Sequence, residues 1–206
     1  MFALVDKSDN SITRMLNGNK GITIGDNQYP RAIFSLWTEA ERNAINIYAV
    51  TINTSNKKNE QWYINTNITY AFDGTNATGS YGDATAKAHA DTTWTQEQID
   101  DGDAPDGADT DTVATRGLKH NLIQTVKAQA EGELNRTDWY ITRKAEKNTA
   151  IPSAITTHRD AVRSKQAAME TAITNASDTP ALETLYTYTE QEDGSVTRPL
   201  GVIPTL

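Results

Sequence analysis

The chain has 206 residues, enough for one domain or two small ones, and its 37% of hydrophobic residues predicts a lean core. Its formal net charge of −8 argues against nucleic acid as the main partner, because duplex-binding proteins present a basic surface. It has no cysteine, which excludes disulfides and thiolate catalysis. No apolar run approaches the roughly 18 residues of a membrane span, so we expect no membrane partner.

The first 90 residues predict an antiparallel β-rich domain. Residues 2–5 and 11–16 read as short strands on either side of a turn rich in Asp and Asn. Residues 17–21 contain two glycines and predict a second turn; they lack the complete pattern of a phosphate-binding loop. A short third strand is expected directly after Gly21.

A helix and two longer strands complete this predicted domain. Thr38 and Glu41 have the spacing of a capping box, in which each side chain bonds the other residue's backbone, so a short helix should begin after Thr38. Residues 45–53 and 61–72 alternate between apolar and polar positions, which is typical of strands. Their closeness along the chain predicts that they pair as a hairpin.

Residues 91–111 form an acidic segment, with eight Asp or Glu and no Lys or Arg. One interpretation is a solvated linker between domains, kept extended by its like charges. The other is a bound divalent cation, since closely spaced Asp carboxylates are ligands that calcium accepts. The order of residues does not match an EF-hand, because Pro105 stands at the fifth loop position.

The following region, residues 112–190, predicts helices packed mostly antiparallel. From Ala114 onward an apolar or small residue recurs at every fourth position, which indicates one stripe of a long helix. Pro152 is suited to the start of another helix, because its missing amide costs nothing there. Residues 191–206 contain two further prolines and are predicted to form an extended tail. The predicted fold class is therefore α+β.

No pattern typical of catalysis is present. The three histidines lie in separate segments, and no metalloprotease, nucleophile-elbow, Walker or Rossmann motif occurs. We therefore predict no catalytic, cofactor-binding or metal-binding residue, no cofactor, and no enzymatic activity.

The stretch from residue 134 to 152 fits the pattern L-x-x-T-D-W-Y-x-x-R-x-x-E-x-x-x-x-I-P. It resembles the C-terminal region of a tail-associated protein family of double-stranded DNA bacteriophages. This resemblance implies a structural component of the virion tail (a baseplate, fibre or fibre-attachment protein) or, alternatively, a tail-fibre assembly chaperone that is not retained in the virion. The implied partners are other phage tail proteins.

The helices offer more apolar surface than a thin helical unit is expected to cover, so we predict subunit contacts, including a homo-oligomer. Trp139 and Tyr140 have two readings, as packing anchors in the core or as an interface hot spot. The full set of candidate interface residues is Leu118, Leu122, Val126, Trp139, Tyr140, Ile155, Val162 and Met169.

Overall fold

A computed structural model describes residues 1–206 and divides them into two compact units, Met1–Thr85 and Ala86–Leu206. The first is rich in strands and the second in helices, which confirms the α+β class. The first contains β1 (Phe2–Asp6), β2 (Ser11–Leu16), β3 (Ile22–Ile24), β4 (Asn27–Tyr29), α1 (Ile33–Leu36), α2 (Glu39–Ala44), β5 (Ile47–Asn53), β6 (Tyr63–Ile64), β7 (Thr69–Phe72) and β8 (Ala77–Ser80). β9 (Thr85–Ala86) lies across the boundary.

The main sheet has the strand order β2-β1-β5-β8-β7, and all neighbours are antiparallel except the parallel pair β5 and β8. Both faces of the main sheet are covered by apolar side chains at strand β1. Its side chains alternate, so Ala3 and Val5 enter one apolar cluster while Phe2 and Leu4 pack against another. The second cluster is centred on Ile33 of α1 and Ile47 of β5.

The predicted hairpin between residues 45–53 and 61–72 is wrong. β5 pairs with β1 and β8, whereas residues 61–72 divide into β6 and β7. Polar side chains interrupt this segment: the Asn65 amide bonds both the N–H and the carbonyl of Lys58, and the Thr66 hydroxyl accepts from the N–H of Gly82.

A glycine lets large side chains lie directly on the strand that pairs with β5. A Cβ added to Gly79 of β8 would lie within 3 Å of the side chains of Ile52, Ile68 and Tyr70. These large side chains therefore cover the backbone of β8 at a separation that no residue with a side chain permits. Strand β8 thus pairs with β5, the position beside residues 45–53 that the sequence pattern had predicted for residues 61–72.

The predicted capping box is confirmed. The Thr38 hydroxyl accepts from the N–H of Glu41, and the Glu41 carboxylate accepts from the N–H of Thr38 at 2.7 Å. These bonds to the backbone and hydroxyl of Thr38 hold the pKa of Glu41 below its ordinary value.

The second unit is built around two long helices. Its elements are β10 (Thr92–Thr93), α3 (Gln96–Asp100), β11 (Val113–Thr115), α4 (Leu118–Asn135), α5 (Asp138–Lys147), α6 (Ser153–Asn175), α7 (Thr179–Tyr186), β12 (Thr189–Glu190) and β13 (Val196–Thr197). Lys119 of α4 donates to the carbonyl of Thr174, and Arg159 of α6 donates to the carbonyl of Leu134. The start of each helix thus lies at the end of the other, so α4 and α6 are antiparallel.

Residues 91–111 do not connect the two units, contrary to the linker interpretation. The segment lies wholly within the second unit, and the antiparallel pair β10 and β11 brings its two ends together. The N–H of Trp94 also donates to the carbonyl of Thr112. The acidic residues therefore occupy a closed loop that contains α3, because strand pairing and not charge repulsion determines its course.

The predicted extended tail, residues 191–206, is also more ordered than expected. It begins within a hairpin of β12 and β13. Beyond the hairpin, Leu200 and Ile203 are buried, and the N–H of Leu200 donates to the carbonyl of Leu185. The prolines interrupt regular secondary structure in this tail, but Leu200 and Ile203 are still buried within the second unit.

Asp91 holds the start of α4. Its carboxylate accepts from the N–H of Gly117 at 2.8 Å and from the Arg116 guanidinium at 2.6 Å. The bond from Gly117, followed by that from Arg116, lowers the pKa of Asp91 from its ordinary value of 3.8. A lowered folded-state pKa means that the stabilisation is complete above the unfolded pKa and is lost as pH falls through the folded one.

We therefore expect Asp91→Ala to lower the melting temperature at pH 7, and the difference from the unmodified protein to shrink as the pH falls below about 4. Asp106→Ala is the matched control, because it removes the same charge from an exposed residue whose side chain bonds nothing. Thermal melting followed by circular dichroism from pH 7 to about pH 3 measures both. A difference independent of pH would contradict the expected role of the carboxylate.

Candidate functional site

Helix α5 differs from the other long helices because none of its ten residues is buried. Its ends are nevertheless well defined. Asp138 places an acid in the first turn, and Lys144 and Lys147 place bases in the last, as the helix dipole favours. Asn148 then ends the helix in the left-handed region, with a φ of 53°. The sequence thus specifies the ends of this helix, while the rest of the chain leaves all of its residues at least partly exposed.

Three side chains form a continuous surface on this helix, which we name the α5 aromatic surface: Trp139, Tyr140 and Arg143. The rings of Trp139 and Tyr140 lie with their centroids 3.8 Å apart and their planes inclined by 32°. The Arg143 guanidinium carbon lies 4.8 Å from the centroid of Trp139 and 5.3 Å from that of Tyr140. Trp139 remains 52% exposed, although a tryptophan side chain gains much from burial.

A buried arginine, Arg159, bonds the connection between α4 and α5, which we call the corner (residues 134–138). Arg159 of α6 donates to the carbonyl of Leu134 at 2.8 Å and to the hydroxyl of Thr137 at 2.7 Å. It also pairs with the carboxylate of Asp138 at 2.8 Å. One guanidinium therefore bonds the last turn of α4, the connecting residue and the first residue of α5. The aromatic surface, which begins at the next residue, is therefore anchored at the N-terminal end of its helix.

The exposed helix carries more positive than negative charge within an acidic protein. Arg143, Lys144 and Lys147 outnumber Asp138 and Glu146. Asp138 is already paired with Arg159. The remaining charges favour a partner that brings aromatic or apolar groups together with carboxylates.

The candidate interface residues separate into two groups in the structure. Four residues of the antiparallel helices α4 and α6 are buried within the chain itself: Val126, Ile155, Val162 and Met169. For these four the expectation of an intersubunit contact is corrected to a role in the core. Leu118, Leu122 and Tyr140 are partly buried. Trp139 alone among the candidates is largely exposed, so its reading as a core anchor is wrong.

The acidic loop does not bring its carboxylates together as a metal site. No group of three or more His, Asp or Glu residues has an arrangement that could hold a metal ion. The Asp109 carboxylate instead bonds the hydroxyl of Thr112 and the N–H of Asp111. These bonds lower the pKa of Asp109, the hydroxyl of Thr112 having the largest effect. Its role in the structure is to shape the loop.

Comparison of the chain with protein-family models, with curated proteins and with solved structures gave no match. None of its helices combines the length and the apolar character needed to cross a membrane. The α5 aromatic surface is therefore interpreted from its own chemistry. Trp, Tyr and Arg are the residue types enriched at the energetic centres of protein interfaces, and here they adjoin one another on a fixed helix.

Proposed function

We propose that this chain is a structural component of a bacteriophage tail and acts through protein–protein contacts made by the α5 aromatic surface. One observation carries the proposal: a ten-residue helix with no buried residue, anchored at its N-terminal end, presents Trp139, Tyr140 and Arg143. The same three residues belong to the W-Y-x-x-R part of the pattern that resembles phage tail-associated proteins. The resemblance and the surface therefore concern the same segment of the chain.

The energetics favour a protein partner for this surface. Burying the exposed half of a tryptophan side chain removes on the order of 100 Å² from water, which is worth about 2–3 kcal/mol. A partner carboxylate near Arg143 would add orientation more than affinity. The burial of Val126 and Met169 within one chain removes the packing argument for a homo-oligomer, so another tail protein is the proposed partner.

The size of the surface supports a second candidate, a tail-fibre assembly chaperone. A stable protein interface covers about 800 Å² on each partner, more than the exposed face of one short helix provides. A small aromatic surface beside an anchored corner suits a partner that is bound and later released. Both candidates use the same residues and differ in whether the bound state persists.

A mass-spectrometric inventory of intact particles distinguishes these candidates. In the structural role, the chain is present in purified virions of the phage that encodes it, at a constant ratio to other tail proteins. In the chaperone role, it is absent from virions and co-purifies with a tail-fibre protein from infected cells. Absence from both fractions would refute the proposed function in either form.

The contribution of the aromatic surface can be measured with one substitution. We expect Trp139→Ala to weaken binding to the identified partner by at least about tenfold, as loss of a central aromatic anchor does. Its melting temperature should stay nearly unchanged, because Trp139 is 52% exposed. Isothermal titration calorimetry and thermal melting give the two quantities.

Ile141→Ala is the matched control for this experiment. Ile141 is an exposed apolar residue of the same helix. Because it lies two positions after Trp139, its side chain points to a different side of the helix. It should bind the partner like the unmodified protein. Equal effects of the two substitutions, or none from either, would show that the aromatic surface is not the site of contact.

A further inference from the structure

The first unit contains an open surface cavity of about 520 Å³, and its charged residues Arg14 and Lys20 are exposed to solvent. The C-terminal half of β2, the turn that follows it and the beginning of β3 form most of its wall, and Phe34 of α1 completes it. Its volume falls within the range of 300–1,000 Å³ that is typical of pockets for small ligands. The sequence pattern had indicated only a turn at residues 17–21.

Two glycines allow the turn in the wall of this cavity to approach its neighbours closely. Gly18 has a φ of 70°, and a Cβ there would lie 3.3 Å from the rings or side-chain atoms of Phe2 and Phe34. A Cβ at Gly21 would lie 2.6 Å from the carbonyl oxygen of Tyr29, closer than any real contact. The backbone of the turn therefore lies close to neighbouring residues at both glycines.

The charges that line the cavity are all positive. Arg14 and Lys20 are its charged residues, and no carboxylate is among the lining residues. Neither cation has a carboxylate partner, although the chain has a net charge of −8. The only hydrogen bond of the Arg14 side chain is a long one of 3.4 Å to the carbonyl of Thr23, so most of its guanidinium donors face no protein acceptor.

The remaining wall combines amides with apolar side chains. Asn17 and Asn19 supply polar groups, while the partly buried Leu16 and Phe34 supply most of the apolar surface, since Ile22 is only 7% exposed. Phe34 is only partly buried, although it packs against Phe2 with 5.0 Å between ring centroids. A ligand with both an anionic group and an apolar body therefore finds a complement for each part.

We propose that this cavity binds a carboxylate joined to an apolar body. The carboxylate lies between the Arg14 guanidinium, which can bond it through two N–H groups, and the Lys20 ammonium. The apolar body packs on Phe34. The proposal is independent of the α5 aromatic surface and stands whether or not the chain is a tail protein.

The test uses phenylacetate as the probe and phenylacetamide as its neutral counterpart. The full chain, labelled with ¹⁵N, is titrated with each, and amide chemical shifts are followed by NMR. We expect phenylacetate to shift the amides of residues 14–23, and phenylacetamide to bind at least about tenfold more weakly. Raising the salt from about 0.05 M to about 0.5 M should weaken the binding of phenylacetate.

Two pairs of substitutions separate the cavity from general electrostatics. Arg14→Gln with Lys20→Gln should weaken binding of phenylacetate by about tenfold or more. Arg31→Gln with Lys58→Gln removes the same charge from the same unit outside the cavity, and should leave binding unchanged. The NMR spectrum of each variant verifies that it is folded.

Four outcomes would overturn the proposal. The first is an absence of shifts in residues 14–23 with phenylacetate. The second is equal binding of phenylacetate and phenylacetamide. The third is equal weakening by the two pairs of substitutions, which would make the attraction a property of the whole unit. Inorganic phosphate binding as tightly as phenylacetate would likewise show that the apolar wall has no part in recognition.

Discussion

Met169→Ala should lower the free energy of unfolding of the helical unit by about 2–5 kcal/mol. Met169 is 1% exposed and lies on the face of α6 that packs against α4. Truncating it removes apolar contacts and leaves a cavity that two long helices cannot easily close. Urea denaturation followed by circular dichroism at 222 nm measures the change, since most helix lies in this unit.

Ile141→Ala is the control for this experiment as well. It truncates an apolar helical residue that is 43% exposed, so the change in stability should stay within about 0.5 kcal/mol. A small effect of Met169→Ala, similar to that of the control, would mean that α4 and α6 do not form the core. Met169 would then return to the candidates for contacts between subunits.

Local features of the fold could be predicted because the interacting groups are neighbours in sequence. Thr38 and Glu41 form their capping box as expected, and Thr95 forms another with Gln98 at the start of α3. In each case the hydroxyl and the backbone N–H are three residues apart, so the bond depends on nothing beyond one turn of helix. The alternation of β1 and the fourfold stripe of α4 are local in the same sense.

Strand order could not be predicted from the same patterns. Periodicity indicates which faces of a strand are apolar, but it does not name the neighbour. The place of β8 beside β5 depends on Ile52, Ile68 and Tyr70 meeting over Gly79, and these residues are up to 27 positions apart in the chain. A glycine within a short strand is the only sign of it in the sequence.

The candidate surface was only partly predictable. The sequence identified Trp139 and Tyr140 as important but left open whether they enter the core. In the structure Trp139 is 52% exposed, and Arg159 anchors the start of its helix by bonding Leu134, Thr137 and Asp138, residues that lie 21 to 25 positions away in the chain. The cavity beside β2 was not predicted, because residues 17–21 indicated only a turn without the complete pattern of a phosphate-binding loop, and Phe34, twenty residues from Arg14, joins the wall only through the fold.

The last prediction concerns this buried arginine. Arg159 is 7% exposed, and its removal by Arg159→Ala should lower the free energy of unfolding by about 2–4 kcal/mol. Two charged hydrogen bonds, one to the buried Thr137 hydroxyl and one to the partly buried carbonyl of Leu134, account for most of the effect. The ion pair contributes little, because the Asp138 side chain is 51% exposed to solvent and to screening. The Thr137 hydroxyl still donates to the carbonyl of Leu134 at 3.0 Å, which keeps the loss from being larger.

Arg163→Ala provides the comparison, since Arg163 is one turn away on α6 and its 3.4 Å pair with Asp160 lies at the surface. It should change stability by less than about 1 kcal/mol. Hydrogen exchange gives a second readout, because Arg159→Ala should speed exchange of α5 amides more than those in the middle of α6. Uniform acceleration would contradict a role for Arg159 at the corner. If α5 alone loosens, partner binding should fall even with Trp139 intact, since the aromatic surface depends on the anchored corner beside it.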